Sequence, residues 1–367
     1  MLNNFTLEIL IVFIVSMLLS LVIIVCFANI KSGSMKRNDT LAVQATHVKP
    51  VARLGGLSVM AALVVAAIPF LEIANIRSSY LLLLLSSFPI FVIGVCEDLG
   101  FFSSPLVRFL AAIFSGVVFV GLFGQWLQRT DIPGLDLAMQ WAPIGIGFSI
   151  FLASGVSHSF NLIDGLNGLS GFVAVGISLS LAAISHQMGL YEHRDVLFIL
   201  SSAIAGFLVL NFPFGKIFLG DGGAYVIGHL LVWMAISILY AAPNITPLTM
   251  LLIFFFPIAD TLLAIMRRVY LGVSILHPDR LHFHQLVMRG IEIVLLGRKR
   301  RHIANPLAAV FILPFAFTPM VVGIFLFLDR GRSTIALLLF TALFIMTYKI
   351  FMRVICRFRM FHDVKVD

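Results

Sequence analysis

Apolar runs of roughly 15–23 residues recur from one end of this chain to the other, separated by short polar pieces. A helix needs about 20 apolar residues to cross about 30 Å of hydrocarbon, so the pattern is that of a chain built for a bilayer. Composition excludes the alternative of a large water-soluble core. Hydrophobic residues make up 60% of the 367 positions and charged residues only 11%, whereas soluble domains carry about 25% charged residues. The chain reads as a single all-α polytopic membrane domain over residues 1–367.

Eleven runs read as spans, at about 9–29, 54–71, 79–95, 106–123, 141–156, 169–184, 196–210, 222–239, 249–266, 306–328 and 334–354. An odd number puts the two termini on opposite sides. Basic residues gather in the cytoplasmic loops of membrane proteins. With the N-terminus outside and the C-terminus cytoplasmic, twenty Lys and Arg fall on the cytoplasmic side and five on the other. The net charge of +8 is then mainly a topological and lipid-surface feature, and its placement argues against a nucleic-acid partner. Cys26, Cys96 and Cys356 are too scattered for a disulfide or zinc pattern. The first residues lack the basic region and small-residue cleavage site of a removable signal peptide.

On this topology every unusual polar sequence lies on the cytoplasmic side. They are His47-Val48-Lys49-Pro50 leading to Arg53-Leu54-Gly55-Gly56, then Glu97-Asp98, then Asn161-Leu-Ile-Asp164-Gly-Leu-Asn167-Gly168. Asn211-Phe-Pro-Phe-Gly-Lys216 through Gly220-Asp221-Gly222-Gly223 follows, and last His277-Pro-Asp279-Arg280-Leu-His282-Phe-His284. The outer loops carry charges but no comparable clusters, so one cytoplasmic active site is the economical explanation.

Each sequence also has a plainer explanation. Acidic pairs at helix ends usually stay hydrated, and a helix-capping turn accounts for Asp164 and Asn167 between glycines as well as a site does. Asp221 is sharper: an aspartate between glycines at a helix mouth can offer oxygens to a hard cation while glycine amides approach phosphate. Asp260 lies inside the ninth span, about 10 Å from its cytoplasmic end at 1.5 Å per residue. A carboxylate there is a functional candidate by default, with pairing to a basic residue of the same helix end as the plainer reading. His282 and His284 lack further ligands at zinc spacing, and amid Arg280 and Arg289 they suit an anionic group better. Carboxylates for Mg²⁺ and basic residues for phosphate, on a chain that is nearly all membrane span, suggest phosphoryl transfer between a soluble nucleotide and a lipid.

The sequences Asn161-Leu-Ile-Asp164-Gly-Leu-Asn167-Gly168, Phe218-Leu-Gly-Asp221-Gly-Gly and His282-Phe-His284 resemble the polyprenyl-phosphate N-acetylhexosamine-1-phosphate transferase family. The resemblance runs from about His47 to His284, and the Pro257-Ile-Ala-Asp260 and Arg267-Arg268 stretch looks closer to its GlcNAc-1-phosphate transferase branch. It implies an eleven-helix bundle, a polyprenyl (undecaprenyl) phosphate acceptor, a UDP-N-acetylhexosamine donor, Mg²⁺ or Mn²⁺, and UMP release. It further implies a multi-pass protein of the bacterial inner membrane that starts a lipid-linked cell-envelope glycan such as O antigen, with a homodimer expected. Three positions depart from the pattern: Glu97-Asp98 replaces an Asp-Asp pair, His158-Ser-Phe-Asn161 replaces Asn-Ala-x-Asn, and His282-Phe-His284-Gln285 replaces His-x-His-His.

On this reading Asp221 holds the metal, while Asp98 and Asp164 orient the lipid phosphate and complete the metal's outer shell. Asn167 and Asp260 contact nucleotide or sugar, and Arg280, His282 and His284 hold donor phosphates. Lys49, Arg53, Glu97, Asn161, Asn211 and Lys216 complete the substrate-binding set, and a long basic loop over 267–305 covers the site. The rival class is a transporter or flippase for an anionic lipid or solute. It would place charges near the bilayer midplane, where this chain has little beyond Asp260; His229 is read as a packing residue with one partner.

Overall fold

The computed structural model describes residues 4–29, 51–68, 74–101, 104–274, 281–297 and 300–363. Lys49 and Arg280, with His47, Pro50, His277 and Asp279 of the same sequences, lie outside the described residues. Among the described residues fourteen α-helices carry the fold: α1 (Asn4–Asn29), α2 (Gly55–Ala66), α3 (Ala74–Asp98), α4 (Pro105–Phe123), α5 (Pro133–Met139), α6 (Ala142–Ile163) and α7 (Leu169–Gln187). They continue as α8 (Tyr191–Asn211), α9 (Gly220–Ala241), α10 (Pro247–Ile253), α11 (Phe255–Tyr270), α12 (Phe283–Ile291), α13 (Arg301–Leu326) and α14 (Arg330–Asp363). Among the described residues there is no strand, only one isolated parallel bridge between Ala52 and Ile217.

Where they are described, the eleven expected runs are helical, but not all are long enough to cross a membrane in one piece. Nine helices are long and apolar enough to span a membrane among the described residues. The expected ninth span is instead the pair α10 and α11, bent by 83° at Phe254, and would make a tenth if it is one broken span. Pro257 falls in the first turn of α11, where a missing N–H costs nothing. The second run is α2, described as 12 residues. Pro89 leaves α3 unbroken, and the N–H of Ile90 next to it turns to Ser115 Oγ on α4 at 3.1 Å. Where it is described, the expected loop over 267–305 is largely helical: α11 reaches Tyr270, and α12 is followed by a π segment, Glu292–Leu296.

At the centre stands α9, buried at every residue from Gly220 to Ile238. A helix apolar all round belongs in a core, and α2, α3 and α6 pack around it. Lipid supplies no hydrophobic drive between helices, so close backbone packing takes over. A Cβ on Gly94 of α3 would lie 2.5 Å from Gly222 Cα, and one on Gly56 of α2 would lie 2.4 Å from Gly223 Cα. Only glycine permits these approaches, and they draw the ends of α2, α3 and α9 together. Among the described residues His229 has a single hydrogen-bond partner, Ser86 Oγ at 3.1 Å. At the periphery, α1 buries only Val12, Ser16 and Ser20.

The end of the bundle opposite the motifs holds a polar cluster that no sequence motif announces. Asp131 pairs with Arg129 at 3.2 Å, accepts from Thr246 Oγ1 at 2.5 Å, and offers its carbonyl to Arg330 at 2.8 Å. Three loops distant in sequence are tied there.

Candidate active site

The start of α9 is the anchor of the site. The first N–H groups of a helix lack partners within it and carry partial positive charge. Here carboxylates of two other helices take them. Asp98, at the end of α3, accepts from Asp221 N at 2.8 Å and Gly222 N at 2.9 Å. Asp164, just past the end of α6, takes a hydrogen bond from Gly220. Gly220 sits at φ +76°, and a Cβ there would lie 2.0 Å from the Arg53 carbonyl. A chain segment is strapped alongside: Phe218 N donates to Ala52 O, Gly55 N to Phe218 O and Gly56 N to Leu219 O, each at 2.8 Å. That strap delivers Arg53 to the helix start.

Asp221 itself is 4% exposed, which a carboxylate tolerates only when paired. Its Oδ1 lies 3.2 Å from Arg53 Nη2 and accepts from Asn161 Nδ2 at 2.9 Å, while Oδ2 lies 2.7 Å from Arg108 Nη1. Arg108 also stands 3.6 Å from Glu97 Oε1, and Arg53 Nε 3.9 Å from Asp98 Oδ1. Sequence reasoning passes over Arg108 as a site residue. A signal for it exists: it is a lone cation in the first turn of an otherwise apolar helix, just after the acidic pair.

Burial pushes the Asp164 carboxyl up to about 7, against the opposing pull of Ser170, whose hydroxyl donates to it, and of Arg53. The Nδ2 of Asn167 and both ends of the Asn211 amide bond the scaffold, while Asn167 Oδ1 is buried without a hydrogen-bond partner among the described residues. Asn167 donates to the Pro213 carbonyl at 2.8 Å and its N–H bonds Asn305 Oδ1 at 2.8 Å. Asn211 accepts from Gly168 N at 2.6 Å and donates to the Ile217 carbonyl at 2.7 Å. These two side chains hold the glycine-rich loops in register. Lys216 is exposed, with Nζ 5.6 Å from the Phe214 ring centre.

Asp260, His282 and His284 form a second, buried group. Asp260 Oδ1 accepts from Phe283 N at 2.8 Å and so caps α12, while Oδ2 lies 3.0 Å from His282 Nδ1 and 3.7 Å from His284 Nδ1. Burial holds the His284 imidazole below its ordinary range, although Asp260 pulls the other way. The two groups meet at Gly165, where a Cβ would lie 2.6 Å from His284 Nε2. His284 therefore backs the loop that carries Asp164.

Among the described residues no three His, Cys, Asp or Glu side chains are placed to cage a metal ion. A Mg²⁺ ion completed by substrate phosphates needs only one or two carboxylates. Asp221, with Asp164 in electrostatic reach, supplies that number as hard oxygen donors, so the residues fit such an ion.

Comparison with known proteins points the same way. The family model for glycosyl transferase family 4 matches residues 80–239, which include Glu97, Asp98, Arg108, Asn161, Asp164 and Asp221. The chain is 27% identical over 292 residues to a probable undecaprenyl-phosphate N-acetylglucosaminyl 1-phosphate transferase of Bacillus subtilis, covering 78% of this chain and 79% of the relative. It is 26% identical over 250 residues to the undecaprenyl-phosphate alpha-N-acetylglucosaminyl 1-phosphate transferase of Yersinia pestis, covering 66% and 67%. It is 28% identical over 274 residues to the decaprenyl-phosphate N-acetylglucosaminephosphotransferase of Mycobacterium leprae, covering 66% and 68%. The motifs and the site they assemble fall largely within the stretch over which the chain is similar to glycosyl transferase family 4.

Proposed function

We propose that this protein transfers an N-acetylhexosamine-1-phosphate from a UDP-sugar to a membrane polyprenyl phosphate and releases UMP. The observation that carries the reading is the buried Asp221 carboxylate, held between Arg53 and Arg108 at the start of α9. Phosphoryl transfer asks mostly for positioning and charge neutralisation, and this arrangement stores both. The two guanidiniums that now neutralise Asp221 are the groups to receive the donor's diphosphate, which frees Asp221 for a divalent cation. Asp221 and Asp164 would hold Mg²⁺ or Mn²⁺, whose charge offsets that developing on the UMP leaving group.

Asp98 has both oxygens on the α9 backbone, so we assign it the placement of Asp221 and of the amides around it. Asn161 aligns Asp221 from α6. Asp260 acts through α12, fixing His282 and His284 against the loop of Asp164, where the imidazoles face the donor's phosphates; Arg280 is assigned to the same phosphates from its sequence alone. The exposed Lys216 adds positive charge at the entrance, and Lys49 is assigned to substrate binding from its sequence alone.

The twenty Lys and Arg that the topology puts at the motif-bearing end support a cytoplasmic site in a bacterial inner membrane, where nucleotide sugars are made. The names of the relatives support N-acetylglucosamine as the sugar, undecaprenyl phosphate as the acceptor and a lipid-linked cell-envelope glycan as the product's destination; a homodimer is part of the proposal. The broken helix pair would suit a transporter, but its carboxylate, Asp260, is closed by Phe283 N and His282. The transferase reading is tested by incubating purified protein with pooled UDP-sugars, polyprenyl phosphate and Mg²⁺. UMP release with a polyprenyl-diphospho-sugar in the mass spectrum supports it, and neither product across the panel overturns it.

A further inference from the structure

On α6, one face turns away from the protein core. Ile144, Gly147 and Phe151 are exposed and Gly155 partly so, and nothing lies within 4 Å of a Cβ built at Gly147 or Gly155. Spaced three and four residues apart, these positions stack along one side of the helix, and His158 is the next in the series. It stands where the bilayer-facing stripe meets the charged end. Three residues on, Asn161 donates to Asp221, and Arg108 on α4 and Asp221 on α9 both act electrostatically on His158.

The imidazole is held in one orientation. Nδ1 lies 2.9 Å from the Ser154 carbonyl, and since a carbonyl only accepts, Nδ1 carries the hydrogen. Phe109 meets the ring edge-on at 5.4 Å and Tyr225 lies 4.7 Å away, centre to centre. The neutral ring then presents a lone pair at Nε2, and this enclosed atom has no hydrogen-bond partner. An enclosed acceptor without a donor is costly, which marks a place kept for a ligand group that donates. An ionised phosphate oxygen would bring lone pair against lone pair. The acceptor lipid has the matching group: a phosphomonoester, with a second pKa of about 6, keeps one P–O–H whenever it is singly ionised. It also reaches the site from the bilayer side, where His158 stands, whereas the nucleotide comes from water.

We infer that His158 Nε2 accepts the hydrogen of the acceptor's P–O–H, recognising the lipid phosphate and freeing its nucleophilic oxygen; this rests on the transferase reading above. The proton passes from the phosphate oxygen to Nε2. That oxygen forms the new bond to the sugar-linked phosphorus, the bond from this phosphorus to the UMP oxygen breaks, and UMP leaves with the electron pair. His158 then returns the proton to solvent.

The test uses the full chain in detergent, with undecaprenyl phosphate and UDP-N-acetylglucosamine as probes. His158→Phe keeps the ring packing and removes both nitrogens; His158→Gln keeps an acceptor. Expected for His158→Phe is a fall in kcat/KM for undecaprenyl phosphate of about 10²–10⁴-fold, the usual worth of a positioned proton acceptor. Calorimetric binding of the UDP-sugar should be unchanged, and His158→Gln should recover part of the loss. Unchanged use of the lipid by His158→Phe overturns the inference, and so does a loss of donor binding as large as the loss of lipid use. A wild-type protein that releases no UMP fails the transferase reading itself, which separates the two failures.

Discussion

The Asp98 carboxylate, at the last residue of α3, accepts a hydrogen bond from the backbone N–H of Asp221 at 2.8 Å and thereby fixes where α9 begins. Its other oxygen takes Gly222 N. Replacing it by asparagine leaves one acceptor and turns an amide donor against a helix N–H. Asp98→Asn should therefore lose about 1–3 kcal/mol of stability from the unsatisfied group and roughly 10²-fold in turnover from misplacement of Asp221. Glu97→Gln should be mild, because Glu97 meets Arg108 only at 3.6 Å. Turnover and thermal unfolding in detergent measure both; equal losses for the two variants would contradict the assignment.

Arg108 holds Asp221 Oδ2 at 2.7 Å, and both side chains are largely buried. Removing Arg108 leaves the buried Asp221 carboxylate to Arg53 and Asn161 alone, at a cost below the about 3–5 kcal/mol of a buried charge left with no partner. Arg108→Ala should be destabilised, and adding Asp221→Asn should restore part of the stability without restoring activity. A double-mutant cycle on unfolding free energy should show coupling above about 0.5 kcal/mol; simple additivity would contradict the ion pair.

Asp164 gives the protein a pH signature. Its carboxyl is raised by burial from 3.8 to about 7, so between these values the folded state binds more protons than the unfolded state. Stability then falls as pH rises through this window and levels off above it. Asp164→Asn should flatten that part of the profile. Unfolding midpoints at pH 5 and pH 8 should differ more for wild type than for the variant, and parallel profiles would contradict the shift.

Much of the fold and of the site is legible in the amino-acid sequence. The apolar runs announce the helices, and the glycine-flanked aspartates announce where the chemistry gathers, because period and charge placement are local properties. What the sequence hides depends on contacts between distant residues. Arg108 reads as a topological charge until α3, α4 and α9 bring it to Asp221. Asn167 and Asn211 read as ligand contacts, yet their amides bond loop backbones, because buried carbonyls and N–H groups must find partners. Asp260 reads as a substrate carboxylate in a continuous span, yet the chain bends at Phe254 and lays Asp260 against the start of α12. Asp131 and Arg330 are 199 residues apart in sequence and meet only in the fold.

Orientation can be tested by labelling. In a background lacking Cys26, Cys96 and Cys356, Gly134→Cys should react with an impermeant thiol reagent applied outside the cell. Tyr270→Cys, 91% exposed at the end of α11, should react only after permeabilisation. The reverse pattern would place the motif-bearing end outside and contradict a site fed by cytosolic nucleotide sugars.

The central claim is that the Asp221 carboxylate is the charge on which transfer depends, and Asp221→Asn tests it most directly. The amide keeps the shape and one acceptor oxygen, and the backbone N–H of this residue still reaches Asp98, so the protein should fold. Loss of the carboxylate should cost several kcal/mol of transition-state stabilisation, and a loss of about 4 kcal/mol is on the order of 10³-fold in rate. The measurement is UMP release against Mg²⁺ concentration for both proteins. The account predicts a folded variant with turnover down about 10³-fold and a Mg²⁺ titration displaced to higher concentration. A folded variant with near-normal turnover and an unchanged titration would contradict it.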